Sequence, residues 1–184
     1  SRMNLHGLRP RVPRIRVRLA TLADLDPLVR HRRRMWEAIS DIPEDLLDAA
    51  DPVYRRWARA RMRTGRRVGF IVEDDSEPVA SGCVWPKPVQ PRPRWNGSTS
   101  ADLLSMFTEP GRRGKGHGTR VVRAAIRWAR TRSVDTMLLH ASRCSEPISC
   151  RLGFEQTTEI RLRLLRPASA TRRKRSVRTR RRPR

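Results

Sequence analysis

The chain has 184 residues and a formal net charge of +24, from 42 basic and 18 acidic residues. This length is enough for one domain with a core of its own, and the 37% hydrophobic content is typical of a soluble globular protein. The sequence lacks the roughly 18 consecutive apolar residues of a membrane span, and its basic N-terminus lacks the apolar segment of a secretory signal. We therefore expect a cytoplasmic protein with no membrane partner.

The positive charge is concentrated at the two ends of the chain. Residues 1–18 carry six arginines and residues 166–184 carry ten basic residues, with no acid in either stretch, which leaves +8 for the body. We expect a flexible basic leader at 1–14, one domain at 15–165 and a disordered tail at 166–184. The tail has no aromatic residue, so it favours nonspecific nucleic-acid contact without base stacking, although a GC-rich coding bias explains the arginines equally well.

The body begins with a predicted strand and two predicted helices. Residues 15–19 alternate apolar side chains with arginine, which is typical of a half-buried strand. The segment 21–24 contains a threonine and an aspartate in N-cap spacing and predicts a helix that ends near Ile39. A second helix is expected over 43–62, with a restart at Pro52 because proline favours a first helical turn.

The central part of the sequence is typical of β-structure. Residues 68–73 and 78–85 flank a polar turn and predict a hairpin. Four prolines between residues 86 and 100 predict an irregular connection, and 101–108 predicts a central strand.

The C-terminal part alternates helices and strands. A helix after a glycine-rich turn is expected to end near Arg132, followed by a strand at 134–140, a short helix at 147–152 and the last strands within 154–165. With the preceding elements, this order is that of a mixed α/β (α+β) domain with one mainly antiparallel half and one βαβ half.

The glycine-rich turn carries the clearest chemical signal. Glycines at 114, 116 and 118 allow a phosphate to approach the backbone, and the following helix N-terminus presents N–H groups to it. Arginines at 112 and 113 and the lysine at 115 add positive charge. This pattern predicts a diphosphate site, and its spacing disfavours both the Rossmann and the Walker turn.

The sequence around this turn resembles a known family. Residues 113–118, Arg-Gly-Lys-Gly-His-Gly, are similar to the Arg/Gln-x-x-Gly-x-Gly/Ala signature of the GNAT superfamily of N-acetyltransferases, and a strand ending in Met-Phe-Thr at 106–108 precedes them. Residues 139–142, 147–148, 152–154 and 157–162 resemble later segments of small bacterial members. The resemblance covers about residues 15–165.

The resemblance implies a mostly antiparallel central sheet flanked by helices, with two neighbouring strands splayed apart. It implies an acyltransferase that binds acetyl-CoA and an amine together, without a metal and without a covalent enzyme intermediate. Main-chain N–H groups of the turn would hold the diphosphate, the N–H of Met106 would polarise the thioester carbonyl, and Thr108 would hydrogen-bond pantetheine. The implied cofactor-binding residues are Met106, Phe107, Thr108, Arg113, Gly114, Lys115, Gly116, His117, Gly118 and Thr119.

Two carboxylates are candidates for the general base that deprotonates the amine. Asp102 lies four residues before Met106 on the same predicted strand, so we expect both side chains to face one side. Histone-acetylating relatives have a glutamate at the position of Asp102, and the shorter aspartate is expected to act through water. Glu37, near the end of the first helix, is the alternative, as a residue of the acceptor pocket.

The general acid of the family has no direct counterpart. Relatives commonly carry a tyrosine three residues before the Leu-Gly-Phe segment, and Ser149 stands there instead. Ser149, Cys150 or water could protonate the leaving thiolate, or the domain could be an acetyl-CoA sensor with little activity. The cysteines at 83, 144 and 150 lack disulfide or metal spacing, so we expect free thiols and no thiol-based ping-pong route.

The acceptor remains an unidentified primary amine, because acceptor specificity in such folds lies in variable loops. A homodimer is compatible with the sequence. The sequence therefore favours an N-acetyltransferase over the sensor and over a nucleic-acid-binding protein that acts through its tail.

Overall fold

The apolar patterns form five strands and four α-helices in the computed structural model, which describes residues 14–90, 93, 98–142, 146–159 and 162. In chain order these are β1 (Ile15–Leu19), α1 (Leu25–Ile39), α2 (Glu44–Arg63), β2 (Val68–Asp74), β3 (Glu77–Pro88), β4 (Thr99–Thr108), α3 (His117–Arg130), β5 (Thr136–Leu139) and α4 (Glu146–Arg151). Short 3₁₀ turns at Leu22–Asp24 and Pro110–Arg112 precede α1 and α3. The leader up to residue 13 and the tail from 166 lie outside the described residues.

The strands form one sheet in the order β1-β2-β3-β4-β5. The pairs β1–β2, β2–β3 and β3–β4 are antiparallel, and the β4–β5 pair is parallel. The predicted mixed, mostly antiparallel sheet is therefore confirmed. The β4–β5 pairing ends at Leu103 and Leu139, the last residue of β5, whereas β4 continues to Thr108, so residues 104–108 lie beyond the part of β4 that pairs with β5.

Helices cover the two faces of the sheet. A Cβ added at Gly82 of β3 would lie 2.7 Å from Val121 of α3, whereas one added at Gly69 of β2 would lie 2.8 Å from Ala20 and 3.6 Å from Leu28 of α1. Hence α3 packs on one face and α1 on the other. The larger buried cluster, on the α3 face, contains Phe70, Val72, Val79, Ala80, Val84, Ala101, Leu103, Val121, Val122, Ala124 and Ala125, and the cluster between α1 and α2 contains Leu25, Val29, Tyr54 and Ala58.

The link between β1 and α1 is held by Asp24, as the predicted cap requires. Its carboxylate accepts hydrogen bonds from the Thr21 backbone N–H at 2.7 Å and from two guanidinium nitrogens of Arg18, each at 2.8 Å. The Arg18 hydrogen bonds lower the pKa of Asp24 to about 2. This side chain therefore fixes the start of α1 to the neighbouring strand.

Prolines interrupt the secondary structure less than the sequence predicts. The expected restart of the second helix at Pro52 is wrong, because α2 is continuous through it. One proline costs a helix about 3 kcal/mol, whereas burying each large apolar side chain contributes about 1.5–3 kcal/mol, and Leu47 and Tyr54 are buried on either side. Similarly, β3 extends to Pro88 although the sequence predicts an irregular segment there. Since β2 begins at Val68, opposite Val84, the residues of β3 beyond Val84 have no β2 partner, and a missing N–H there can face an open edge.

The described part of the predicted last strands is not β-structure. Residues 154–159 form no strand, and the polar run 155–159 is exposed, so it has no apolar face to bury against the sheet. Gln156 instead donates a 2.6 Å hydrogen bond to Glu146 at the start of α4. Residues 160, 161 and 163–165 lie outside the described residues. Among the helices of the described chain, none has the length and apolar character needed to cross a bilayer.

Candidate active site

A β-bulge in β4 is the first element of the site. Leu104 lies opposite Cys83 of β3, and Phe107 lies opposite Ser81, so two residues of β4 face the single residue between them on β3. Ser105, in the bulge, has φ of 53°, a left-handed conformation that is uncommon for a residue with a side chain. The bulge thus leaves one residue of β4 without a partner on β3.

The bulge reverses the alternation of side chains along β4. Asp102 lies opposite Trp85, whose ring contacts Trp57 of α2, so Asp102 is on the α1/α2 face. The Met106 side chain is on the α3 face, because a Cβ at Gly82 would lie 3.2 Å from Met106 Cγ and 2.7 Å from α3. The expectation that Asp102 and Met106 share a face is therefore wrong. One extra residue in the strand shifts the period of two.

The glycine-rich turn connects the end of β4 to α3. Gly114 and Gly116 adopt φ of 78° and 75°, which is the conformational freedom that the sequence predicts glycine supplies here. Residues 113–116 are exposed. Within the described chain, the backbone N–H groups of residues 114–119 donate no hydrogen bond, whereas the next one, on Arg120, begins the helix ladder at Gly116. The turn thus presents a group of free donors at a helix N-terminus.

The basic side chains of the turn have different partners. Arg112 hydrogen-bonds Asp74 at 2.7 Å and Glu77 at 3.2 Å, which ties the turn to the β2–β3 hairpin. Arg113 donates to the Thr108 carbonyl at 3.1 Å. Lys115 is exposed. Arg113 and Lys115 therefore supply positive charge at the open side of the turn, while Arg112 has an anchoring role.

The first turn of α3 packs into the domain. His117 is 2% exposed, and burial lowers the pKa of its ring, so the ring is neutral at pH 7 and lies inside the turn. A Cβ at Gly118 would lie 3.7 Å from Ile148 of α4 and 3.9 Å from the Thr108 hydroxyl. Thr119, the next residue, is half-buried. These contacts bring the ends of β4, the turn and α4 together.

Ser149, the residue at the tyrosine position, is buried in α4. Its carbonyl accepts the backbone N–H groups of Leu152 and Phe154, so its main chain closes the helix. The side chain lines a cavity of about 830 Å³ between β5, α3 and α4. The adjacent Cys150 is an exposed free thiol, whereas Cys83 is buried in the sheet and Cys144 lies outside the described residues.

The two candidate bases lie in different surroundings. Asp102 is half-buried on the part of β4 that pairs with β5, and its carboxylate forms a 2.6 Å ion pair with Lys87 of β3. Glu37 is exposed and pairs with Arg33 at 3.0 Å, and Arg33 also pairs with Asp48 and Asp51 of α2. Glu37 thus belongs to a surface network between the helices, whereas Asp102 lies on the strand that carries the bulge.

A buried histidine connects α1 to the sheet. The Nδ1 atom of His31 is 2.9 Å from the Ser81 hydroxyl, and its Nε2 atom is 3.4 Å from the carboxylate of Glu109, which also pairs with Arg34. Burial lowers the pKa of His31 to about 4, and Glu109 opposes the shift. His31 is therefore neutral at pH 7, and its contact with Glu109 is not an ion pair there.

The family follows from the sequence profile that matches the chain. The profile described as "Acetyltransferase (GNAT) family" matches residues 31–152, a range that includes the bulge, the turn and α4. The chain belongs to the GNAT acetyltransferase family. None of the curated proteins compared with it matches significantly.

Solved structures share the fold of this GNAT domain. A GCN5-related N-acetyltransferase from Ralstonia eutropha is 23% identical with a TM-score of 0.75, covering 82% of this chain and 99% of that one. A predicted acetyltransferase with acetyl-CoA from Clostridium acetobutylicum is 24% identical with a TM-score of 0.74, covering 82% and 97%. The aminoglycoside N-acetyltransferase AAC(6')-Iy in complex with a bisubstrate analogue is 18% identical with a TM-score of 0.63, covering 84% and 99%.

Sequence reasoning missed a cluster of aromatic and basic side chains on the α1/α2 face of this GNAT domain. We call it the aromatic-basic cluster; its members are Arg32, Trp36, Tyr54, Trp57, Arg67, Trp85 and Lys87. The Arg32 guanidinium lies 4.2 Å from the Tyr54 ring centroid, and the Trp57 ring lies 5.5 Å from that of Trp85. The available signal was compositional, since the only tyrosine and three of the five tryptophans fall between residues 36 and 85.

The part of this GNAT domain that the structure describes has no group of three or more His, Cys, Asp or Glu side chains placed to hold a metal ion. The charged groups near the bulge and the turn are instead paired with one another, exposed, or members of the aromatic-basic cluster.

Proposed function

We propose that this GNAT domain transfers an acetyl group from acetyl-CoA to a primary amine, with both substrates bound at once. The observation that carries the proposal is the exposed turn, where the N–H groups of residues 114–119 have no partner among the described residues. Such donors at a helix N-terminus suit a diphosphate, which coenzyme A contains. The fold neighbours solved with acetyl-CoA or with a bisubstrate analogue support the same cofactor.

In this proposal the cofactor follows the open end of β4. Main-chain donors from Gly114 to Thr119 hold the diphosphate, with Arg113 and Lys115 adding charge. Pantetheine lies where β4 separates from β5 and hydrogen-bonds Thr108, while Phe107 contributes main-chain contacts. The N–H of Met106, in the bulge, polarises the thioester carbonyl. Removing one oxyanion donor of this kind can cost on the order of 3 kcal/mol, so the bulge geometry matters more than the Met106 side chain.

The proposed chemistry is direct attack. The neutral amine attacks the carbonyl carbon, the C–S bond breaks, and coenzyme A leaves as a thiol. Asp102 accepts the amine proton through water, and Lys87 holds its carboxylate in place. Glu37 is the alternative base, although its exposed pairing with Arg33 favours a surface role.

The thiolate needs a proton as it leaves. In this proposal Ser149 takes the place of the usual tyrosine, with the exposed Cys150 or water as alternatives. General acid catalysis contributes typically 10²- to 10⁴-fold, so a weaker acid lowers turnover but leaves positioning and carbonyl polarisation intact.

Two measurements on the full chain test the function. Calorimetric titration with acetyl-CoA measures binding, and a thiol-release assay over a panel of amines, with an amine-free blank, measures transfer. Binding with amine-dependent thiol release supports the enzyme. Binding without release from any amine indicates the sensor, which a weak general acid at position 149 would favour. Absence of binding contradicts the proposal.

A further inference from the structure

Arg67 is a buried cation with unused hydrogen-bond donors. It precedes β2 and is 2% exposed. Its Nη2 atom donates a 2.5 Å hydrogen bond to the hydroxyl of Tyr54, but Nε and Nη1 are buried and have no partner among the described residues. Guanidinium remains charged in proteins, so several N–H donors of a full positive charge lie unsatisfied inside the domain.

Such an arrangement is costly without an anion. An uncompensated buried charge is strongly destabilising, and each buried donor that is left unsatisfied adds to the cost. Within the described chain, neither Arg67 nor its neighbour Arg32 forms an ion pair with a carboxylate, although both guanidinium groups lie against the Tyr54 ring. By contrast, the partly buried Arg18 is paired with both Asp24 and Glu73. The two guanidinium groups beside Tyr54 therefore offer the charge and the donors of an anion site, and they have no acidic partner among the described residues.

Arg67 lies next to the β4 bulge. Arg67 and Ser105 both lie close enough to the Cys83 thiol to oppose the rise in its pKa that burial causes. Ser105 is the bulge residue that immediately precedes Met106. An anion bound by Arg67 would thus be close to the main-chain donor that we propose for the thioester carbonyl.

The same face of the sheet offers two further contacts to a substrate. The half-buried ring of Trp57 lies 6.1 Å from the Tyr54 ring, and the half-buried ring of Trp85 lies 5.5 Å from that of Trp57. Asp102, opposite Trp85 in the register, gives that face a carboxylate. A cation pair, aromatic rings and a carboxylate on one face match an anion, an apolar body and an ammonium in one molecule.

We infer that the acceptor is an amine that also carries a carboxylate close to its amino group, and that Arg67 with Arg32 binds this carboxylate. The inference rests on the proposed function and assigns the substrate class of the same site. Arg67 acts here as a binding residue for the acceptor.

Matched amine pairs test the inference on the unmodified protein. L-phenylalanine is compared with 2-phenylethylamine and L-tryptophan with tryptamine, because each pair differs only by the carboxylate. We expect kcat/KM to be at least about tenfold higher for the carboxylated member. Equal values, or a preference for the plain amines, would overturn the inference. A preference for O-phosphoethanolamine over ethanolamine without any carboxylate preference would also overturn it, in favour of a phosphate.

A pair of variants locates the effect. Arg67→Met should raise KM for L-phenylalanine by about tenfold or more, with little change in kcat, in KM for 2-phenylethylamine, or in acetyl-CoA affinity. Arg66→Met removes the same charge from the exposed neighbouring residue and should leave all these values unchanged. Equal losses for both amines in Arg67→Met would assign Arg67 a structural role and refute the substrate class.

A binding measurement separates this inference from the proposed function. Calorimetry with N-acetyl-L-phenylalanine and with N-acetyl-2-phenylethylamine, each in the presence of coenzyme A, requires no turnover. Arg67-dependent binding of the carboxylated compound alone supports the anion site, even if no amine is acetylated and the proposed function fails. If amines are acetylated but the two compounds bind equally, the function stands and the inference is wrong.

Discussion

The two faces of the domain are built in different ways. On the α3 face, the turn uses the main chain: two glycines in left-handed conformations and the unpaired N–H groups of residues 114–119. On the α1/α2 face, the aromatic-basic cluster uses side chains from α1, α2, the residue before β2, and β3. The first region is one continuous segment, whereas the second exists only after several segments have packed together.

This difference fits what each region is proposed to recognise. A diphosphate is the same in every acetyl-CoA molecule, and a main-chain site binds it with little dependence on side chains. Acceptors differ in shape and charge, so side chains that can be exchanged singly are suited to select them. Substitutions in the turn should therefore change cofactor affinity, and substitutions in the cluster should change acceptor kinetics.

The largest expected effect is on the acceptor side. Asp102→Asn should lower kcat by about 10²- to 10⁴-fold and abolish the acidic limb of the pH–rate profile, because the amide cannot take up the amine proton. Acetyl-CoA affinity should stay at the wild-type value. Glu37→Gln is the matched control for the alternative base and should retain activity. Wild-type turnover in Asp102→Asn across the pH range would remove Asp102 from the mechanism.

The corresponding change on the cofactor side is Gly116→Asp. It places a side chain at φ of 75° and a negative charge beside the diphosphate, so we expect acetyl-CoA affinity to fall roughly 100- to 1,000-fold. Gly111→Asp introduces the same side chain at an exposed glycine with open space around it, and should change affinity far less. Calorimetry on both variants measures the difference, and equal affinities would contradict the proposed diphosphate site.

Each face has a buried histidine, His31 in α1 and His117 in α3, and both should make the stability of the domain depend on pH. His31 has a pKa of about 4 when folded and about 6.5 when unfolded, so its stabilising contribution is complete above pH 6.5 and is lost as the pH falls to 4. The loss should be about 3 kcal/mol in the free energy of unfolding, measured by urea denaturation at several pH values.

Two variants measure how much each histidine contributes to the pH dependence of the free energy of unfolding. His31→Gln should flatten the dependence between pH 6.5 and 4. His117→Gln should also reduce the loss of stability below pH 6.5, because burial lowers the pKa of His117 in the same direction. An unchanged slope in both variants would show that neither buried ring controls stability in this range.

The smallest effect on the site is expected from the tail. Removing residues 166–184 should change acetyl-CoA affinity by less than about twofold, since the turn and the bulge lie upstream. The same truncation should weaken association with a DNA duplex, and binding of the full chain should fall steeply as salt rises. Loss of cofactor binding on truncation would place the domain boundary further along the chain. Absence of DNA binding even at low salt would favour coding bias as the origin of the arginines.

The sequence alone predicted what depends on local patterns. The order of strands and helices followed from apolar spacing, and the turn followed from glycines at 114 and 116, whose left-handed conformations the structure contains. Where local rules conflicted with packing, packing prevailed, as at Pro52 within α2 and at Pro88 within β3. The strand predicted over residues 154–159 does not form, because the exposed polar side chains of 155–159 offer no apolar face to pack against the sheet.

The tertiary structure alone decided which side chains meet. The bulge at Ser105 moved Met106 to the face opposite Asp102, and its position depends on the pairing of β4 with β3 rather than on the β4 sequence. The contact between Arg67 and Tyr54 joins the residue before β2 to α2 and depends on how α2 packs on the sheet. Backbone conformation is governed largely by neighbouring residues and can be predicted from them, whereas side-chain contacts between distant segments form only when the whole sheet and its helices pack together.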